Sequence, residues 1–409
     1  MPALLFALVF TTALPSQAHT AHYDVRSACL DAQEVGVLLE QLYAKLATFF
    51  GRMPQRRLAV ELYADRRSFH EALARDGQPR VDAGGYFSPE TKKVYLYPQP
   101  SEYFTRQVLL HEATHQFHVS VTTGSFPPQT CWYVEGLAEF FGMHTWDGKR
   151  LRTGVVPAVT LEDYPAQALR QFDACGGDLE GIVAGRSAEK WGVAMGLDKA
   201  GAPRPLAWAL VHFLMHRDPV RFASLAARLD RNEPPLAAWR QVYGRITRAM
   251  AGQFRQWIER NTQPWEIVWT GWQPWGETIE GHSSVVGMAL LKRTPDRLVA
   301  ELEPVDGPLK AGLAFGFRSK EDFYLLEVMS AGPGSAVPAQ ASIVRRIDGA
   351  WKSVISRRLA SSSSLPLVAL VRSGDQVTLS VDHQTITTLT AAGRVGLAVD
   401  GCKVRFRVK

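Results

Sequence analysis

The run His111-Glu112-Ala113-Thr114-His115 constrains this chain more than any other feature of its 409 residues. Residues four apart on a helix share one face about a turn apart, so the two imidazoles can reach one ion while Glu112 reaches the space beside it. The flanks agree with a helix. From Phe104 to Val119, Phe104, Val108, Leu109, Ala113 and Phe117 recur at helical spacings, and no Gly or Pro interrupts. Nineteen residues separate His115 from Glu135, which lies in Trp132-Tyr133-Val134-Glu135-Gly136-Leu137-Ala138-Glu139. A second helix is expected there from Cys131, capped by Thr130, to about Gly142, a residue suited to a left-handed C-terminal turn. Glu135 and Glu139 are again four apart and face the same way.

The residue types point to zinc. A zinc site that does chemistry uses three protein ligands and leaves a position open, so His111, His115 and Glu135 make a complete set for one Zn2+ per chain. A ligating imidazole usually gives its other ring N–H to a carboxylate, and Glu139, one turn past the third ligand, is the natural partner. His118 lies on the same stripe. It stands about 10.5 Å along the axis from His111, too far to share an ion with bonds near 2 Å, and is expected to pack or to line a rim. Glu112 stands where a general base is required.

HEATH followed by VEGLAEFF resembles the gluzincins of the peptidase MA superfamily, in a poorly characterised bacterial branch, similar to thermolysin in spacing and to aminopeptidases in the Glu-Gly step. The resemblance runs over about residues 23–260 and is specific between Leu109 and Gly142. It implies a zinc metallopeptidase, Glu112 as base, His111, His115 and Glu135 as ligands, and a peptide or protein substrate. In aminopeptidase-like relatives a later helix opens with a Tyr that stabilises the oxyanion; here that position holds Arg204, whose guanidinium could do the same. His212, His216 and Tyr243 remain rival donors. The resemblance also places an edge strand for the substrate backbone just before the zinc helix. Gly84, Gly85 and Tyr86, leading to a strand at Lys93–Tyr97, are the expected substrate-binding residues, glycine allowing close backbone approach.

At the N-terminus, Ala3 to Leu14 is apolar but too short to span a bilayer, and Ser16-Gln17-Ala18 supplies small residues. A signal peptide over residues 1–18, cleaved near Ala18, and an exported chain with no transmembrane segment are expected. Cys29, Cys131, Cys175 and Cys402 suit an oxidising compartment without defining a pairing. The net charge of +6 favours anionic surfaces such as cell-wall polymers, and no concentrated basic run argues for nucleic acid.

The texture changes near Pro264. Before it, strands at Leu58–Tyr63 and Lys93–Tyr97 alternate with helical stretches at Arg66–Ala74, Leu206–Met215, Val220–Leu229 and Leu236–Ile258. After it come aromatic and β-branched runs such as Leu313–Phe317, Phe323–Leu326 and Val377–Val381. The expected architecture is an α+β zincin-like catalytic domain over residues 19–263, mostly helical after an N-terminal mixed sheet. Residues 264–409 are expected to form an all-β accessory sandwich resembling the concanavalin and laminin-G jelly rolls. Trp265, Trp269, Trp272 and Trp275 could stack a sugar or could simply be core. Two functions follow: an exported zinc peptidase whose sandwich affects only where it acts, or an inactive zincin scaffold that binds glycan or protein through the sandwich.

Overall fold

A computed structural model describes residues 15–122, 130–185, 204–269, 271–331, 339–359 and 363–409. The apolar run expected to be a signal lies outside them. The chain is α+β with a C-terminal β-sandwich. The N-terminal part opens with β1 (Ser16–His19), β2 (Tyr23–Ser27), α1 (Ala32–Phe50), β3 (Leu58–Leu62), α2 (Arg66–Arg75), β4 (Gly85–Phe87) and β5 (Lys93–Leu96). The strands form one mixed sheet in the order β1-β2-β3-β5-β4; β2, β3 and β5 run parallel, and antiparallel β1 and β4 close the two edges. Ala18 is buried in β1, so cleavage near it would remove Ser16–Ala18 from the sheet.

α1 is fixed at both ends. Asp31 accepts from the Glu34 N–H, and Gly51 takes the left-handed conformation and returns its N–H to Ala47 O. Its apolar face, including Leu38, Leu39, Leu42 and Leu46, joins Val60, Val94, Leu110 and Phe117 in one core. That core holds the next two helices, α3 (Glu102–Val121) and α4 (Cys131–Gly142), against the sheet.

Two expected caps behave differently. Thr130 makes no side-chain cap bond; its carbonyl instead accepts from Tyr133 and Val134 N–H. Gly142 is the last helical residue rather than a left-handed turn, and a Cβ there would sit 3.2 Å from Gln107 O and 3.6 Å from His111 Cβ. Glycine is present because the two helices nearly touch at the site.

After the hairpin β6 (His144–Trp146) and β7 (Leu151–Thr153) come α5 (Tyr164–Ala174), α6 (Leu179–Val183), α7 (Arg204–Arg217), α8 (Pro219–Leu229), α9 (Pro235–Tyr243) and α10 (Arg248–Arg260). The stretch Leu236–Ile258 is thus two helices. Gly244, at φ 80°, breaks it, and Thr247 caps the second by accepting from Met250 N–H. No helix among the described residues is long and apolar enough to cross a membrane, and none of the four cysteines is in a disulfide.

From Trp265 onward the chain is antiparallel β. β8 (Trp265–Ile267) and β9 (Trp272–Trp275) pair with β10 (Thr278–Leu291), which pairs with the last strand, β19 (Arg394–Val408). β19 also pairs with β12 (Leu309–Ser319) through its first half and β11 (Arg297–Asp306) through its second, so it joins both faces of the sandwich. Leu302, Leu313, Phe315, Leu326, Leu370, Leu379 and Phe406 fill the interior.

The tryptophans are not an open sugar platform. Trp265 and Trp272 are core. Trp275 has the Arg405 guanidinium 4.3 Å and that of Arg106 5.7 Å from its ring centre, while half-buried Trp269 packs on Phe323 at 5.6 Å.

The sandwich grips the first part at the site. Gln273 Oε1 accepts the Tyr103 N–H in the first turn of α3 at 3.0 Å, and Gly276 N–H donates to Trp146 O at 3.0 Å. Val159, fully buried, belongs to the sandwich core. Its neighbour Thr160 accepts from Gln263 Nε2 at 2.6 Å, and Asp163 pairs with Lys292.

Candidate metal centre

α3 presents His111 and His115, and α4 crosses it to present Glu135. The crossing depends on Gly136: a Cβ there would lie 2.4 Å from Ala207 O, so glycine lets α4 also pack against α7. His111 Nε2 and His115 Nε2 face each other at 3.0 Å, with Glu135 Oε2 3.4 Å from the first and Oε1 3.6 Å from the second. One ligand atom from each of the three residues lies within 4.8 Å of the others, the two imidazole nitrogens on one side and the carboxylate of Glu135 on the other. Among the described residues the buried Glu135 Oε2 accepts no hydrogen bond, with His111 Nε2 at 3.4 Å and Arg204 Nε at 3.5 Å as its charged neighbours. These three residues could hold a metal ion.

Charges around the triangle agree. Burial would lower His111, but Glu139 and Glu135 outweigh it and hold the imidazole up at about 10. Burial, with His111 and Arg204 adding to it, pushes His115 down to about 3 against the pull of Glu135, leaving it neutral with a lone pair to give. Glu135, despite burial, is held below the usual carboxylate range by the two histidines. A proton on His111 thus supplies the positive charge that a divalent ion would bring.

Glu139 has Oε1 3.2 Å from His111 Nδ1, and its Oε2 accepts from Gln107 Nε2 at 3.4 Å. Glu112 is buried on α3, and its Oε2 accepts the Phe87 N–H at 2.8 Å. Burial raises its carboxyl, opposed by His111 and Arg204. Arg204 opens α7 with its guanidinium 3.5 Å from Glu135 and 3.8 Å from Glu139.

The rival donors lie elsewhere. His212 is buried against Trp257, whose indole N–H it accepts at 3.0 Å, and neither His216 nor Tyr243 lines the cleft. His118 is also buried, its Nε2 2.7 Å from Asp230 Oδ1, behind the site.

Beside the triangle is a cleft of about 500 Å³. Gly84, Gly85 and Gln99 form one wall; His111, Glu112 and Val108 form the floor; Glu162, Tyr164, Gln171 and Arg204 form the other wall. Gly85 is glycine for a sharper reason than loop approach, because a Cβ there would lie 2.6 Å from Val108 Cγ1 and 3.1 Å from Glu112 Cγ. Tyr86 is half-buried, with β4's register pairing it to Tyr95. Sequence reasoning missed Glu162, Tyr164 and Gln107. Only the Asp163–Tyr164–Pro165 helix start was readable, and nothing in it indicates a return to the metal site.

No family model matches the chain, and no curated protein does. Among solved structures it is similar to the carbohydrate-binding module CBM66 from Bacillus subtilis, at 16% identity and TM-score 0.30, over 35% of this chain and 92% of that one. It is also similar to galectin LEC-6 of Caenorhabditis elegans, at 13% identity and TM-score 0.23, over 32% and 95%. A third, the GH43 protein BlXynB from Bacillus licheniformis, has 10% identity and TM-score 0.27, over 35% of each chain. These are likenesses of shape over about a third of the chain.

Proposed function

We propose that the chain is a zinc-dependent peptidase, with His111, His115 and Glu135 as ligands and Glu112 as general base. The observation that carries this reading is the convergence of His111, His115 and Glu135, with ligand atoms within 4.8 Å of one another, and the Glu112 carboxylate on the helix that bears the two histidines. Bound Zn2+ would acidify a water and polarise a carbonyl. The chain's own residues do the rest. Glu112, kept in place by Phe87 N–H and raised by burial, takes a proton and returns it to the leaving amine. Arg204 donates toward the oxygen where negative charge develops. β4, the sheet's outer strand, turns the backbone groups of Gly85 and the carbonyl of Phe87 away from β5, so an extended peptide can pair with them while the Phe87 N–H stays on Glu112. Mass-spectrometric mapping of products from a peptide library tests this: metal-dependent new termini are expected, and a zinc-loaded chain that leaves the library intact contradicts it.

In the second reading the zincin fold is a scaffold and the β-sandwich binds glycan or protein. CBM66, a carbohydrate-binding module, shares the sandwich shape, but the likeness extends to shape alone. Retention on a polysaccharide column by a zinc-loaded chain without turnover would favour it. The apolar run at Ala3–Leu14 supports an exported chain in either case, and sequencing the mature N-terminus tests that directly; processing near Ala18 would leave the sheet to begin at β2.

A further inference from the structure

Among the described residues, every charged group lining the cleft has a partner except one. Asp82 at its lip pairs with Arg66 at 2.6 Å. Glu139 holds His111 and Arg204, Glu135 faces both histidines and Arg204, and Glu112 accepts the Phe87 N–H. Glu162 lines the wall beside Arg204, and among the described residues its carboxylate has neither an ion pair nor a hydrogen bond. Arg204, already between two carboxylates, does not neutralise it.

The position of Glu162 is built rather than loose. Its carbonyl accepts from Thr160 Oγ1 at 2.6 Å and from Tyr164 N–H at 3.0 Å. On one side Val159 is sunk in the sandwich core; on the other Asp163 is tied to Lys292. An unpartnered carboxylate whose backbone is held in place on the lining of the cleft selects for a positive group on whatever lies there.

We propose that Glu162 is a specificity-determining residue that receives a cationic group of the substrate, either its amino terminus or a lysine or arginine side chain. The proposal rests on the peptide reading of the cleft. Burial, and Glu139 nearby, raise the Glu162 carboxyl, while Arg204 opposes them, which adds to the gain from a cation arriving.

The test measures binding, not turnover. Zinc-loaded full-length Glu112→Gln chain is titrated calorimetrically with capped hexapeptides in which one lysine, or one norleucine, is walked through every position, and with the same norleucine peptides bearing a free amino end. One lysine position, or the free amino end, should bind about tenfold tighter than its neutral counterpart. The two arms separate side chain from terminus. Adding Glu162→Gln should reduce that ratio to about one, and Glu162→Lys should invert it in favour of a glutamate peptide. No side chain among the described residues bonds to the Glu162 carboxylate, so both variants should fold and keep zinc. A cation preference that survives Glu162→Gln, or its absence from every peptide while they still bind, overturns the proposal and leaves the peptidase reading standing. If no peptide binds at all, the peptide reading fails and the subsite with it.

Discussion

Glu139 is outside the donor triangle, yet it governs what the triangle can bind. Its carboxylate, 3.2 Å from His111 Nδ1, is the leading influence opposing burial and holding His111 protonated up to about pH 10. Metal must therefore displace a proton. The sign follows: His111 is raised above its ordinary value, so metal-free chain carries that proton throughout the neutral range and zinc affinity climbs as pH rises toward 10. Calorimetry at pH 7.5 in buffers of different ionisation enthalpy should show about one proton released per zinc. Glu139→Gln should lower zinc affinity about 10–100-fold and reduce that release, because His111 loses both its orienting partner and the charge that keeps it protonated. Unchanged affinity and release would show that Glu139 acts only in packing. The pairing of His111 with His115 and of Glu135 with Glu139 was legible because an i, i+4 spacing is a local consequence of helix geometry. The approach of Glu162 and Tyr164 to the same cleft was not, since only the return of the chain over the sandwich brings them there.

Among the elements, α4 carries the heaviest steric constraint. Gly142 lies against α3 and Gly136 against α7, and the second contact places Arg204 over Glu135. Gly136→Ala sets two effects against each other. Alanine favours the helix by about 1 kcal/mol, but its Cβ would meet a backbone oxygen at 2.4 Å, which only a helix shift can relieve. The contact should win, with a net loss of about 1–3 kcal/mol in denaturant titration; a stabilised variant would contradict this packing. The sequence gives the elements better than their ends. The runs α2, α3, α7 and α8 were found within a few residues, because hydrophobic period marks a helix body. The break at Gly244 was passed over, since one glycine inside a periodic stretch reads as tolerable until its φ of 80° is seen.

On the scale of the whole molecule, the sandwich meets the N-terminal part beside the candidate metal centre. The change of texture near Pro264 was visible in the sequence. The contacts across it were not: Gln273 on the first turn of α3, Val159 in the sandwich core and Lys292 on Asp163 are long-range pairings with no local signature. The sandwich therefore bears on the wall of the cleft. Val159→Ala, which leaves a small void in the sandwich core, should cost about 1–2 kcal/mol and raise KM about threefold or more, with zinc content unchanged. An unaltered KM would show that the wall holds without this anchor.

The central claim is that Glu112 acts as a base beside a metal held by other residues. Zinc content and peptide turnover measured together on wild type, Glu112→Gln and Glu135→Ala test it most directly. The account predicts that Glu112→Gln keeps one zinc per chain and loses turnover by at least about a hundredfold, while Glu135→Ala loses the zinc. Near wild-type turnover in zinc-loaded Glu112→Gln would contradict it.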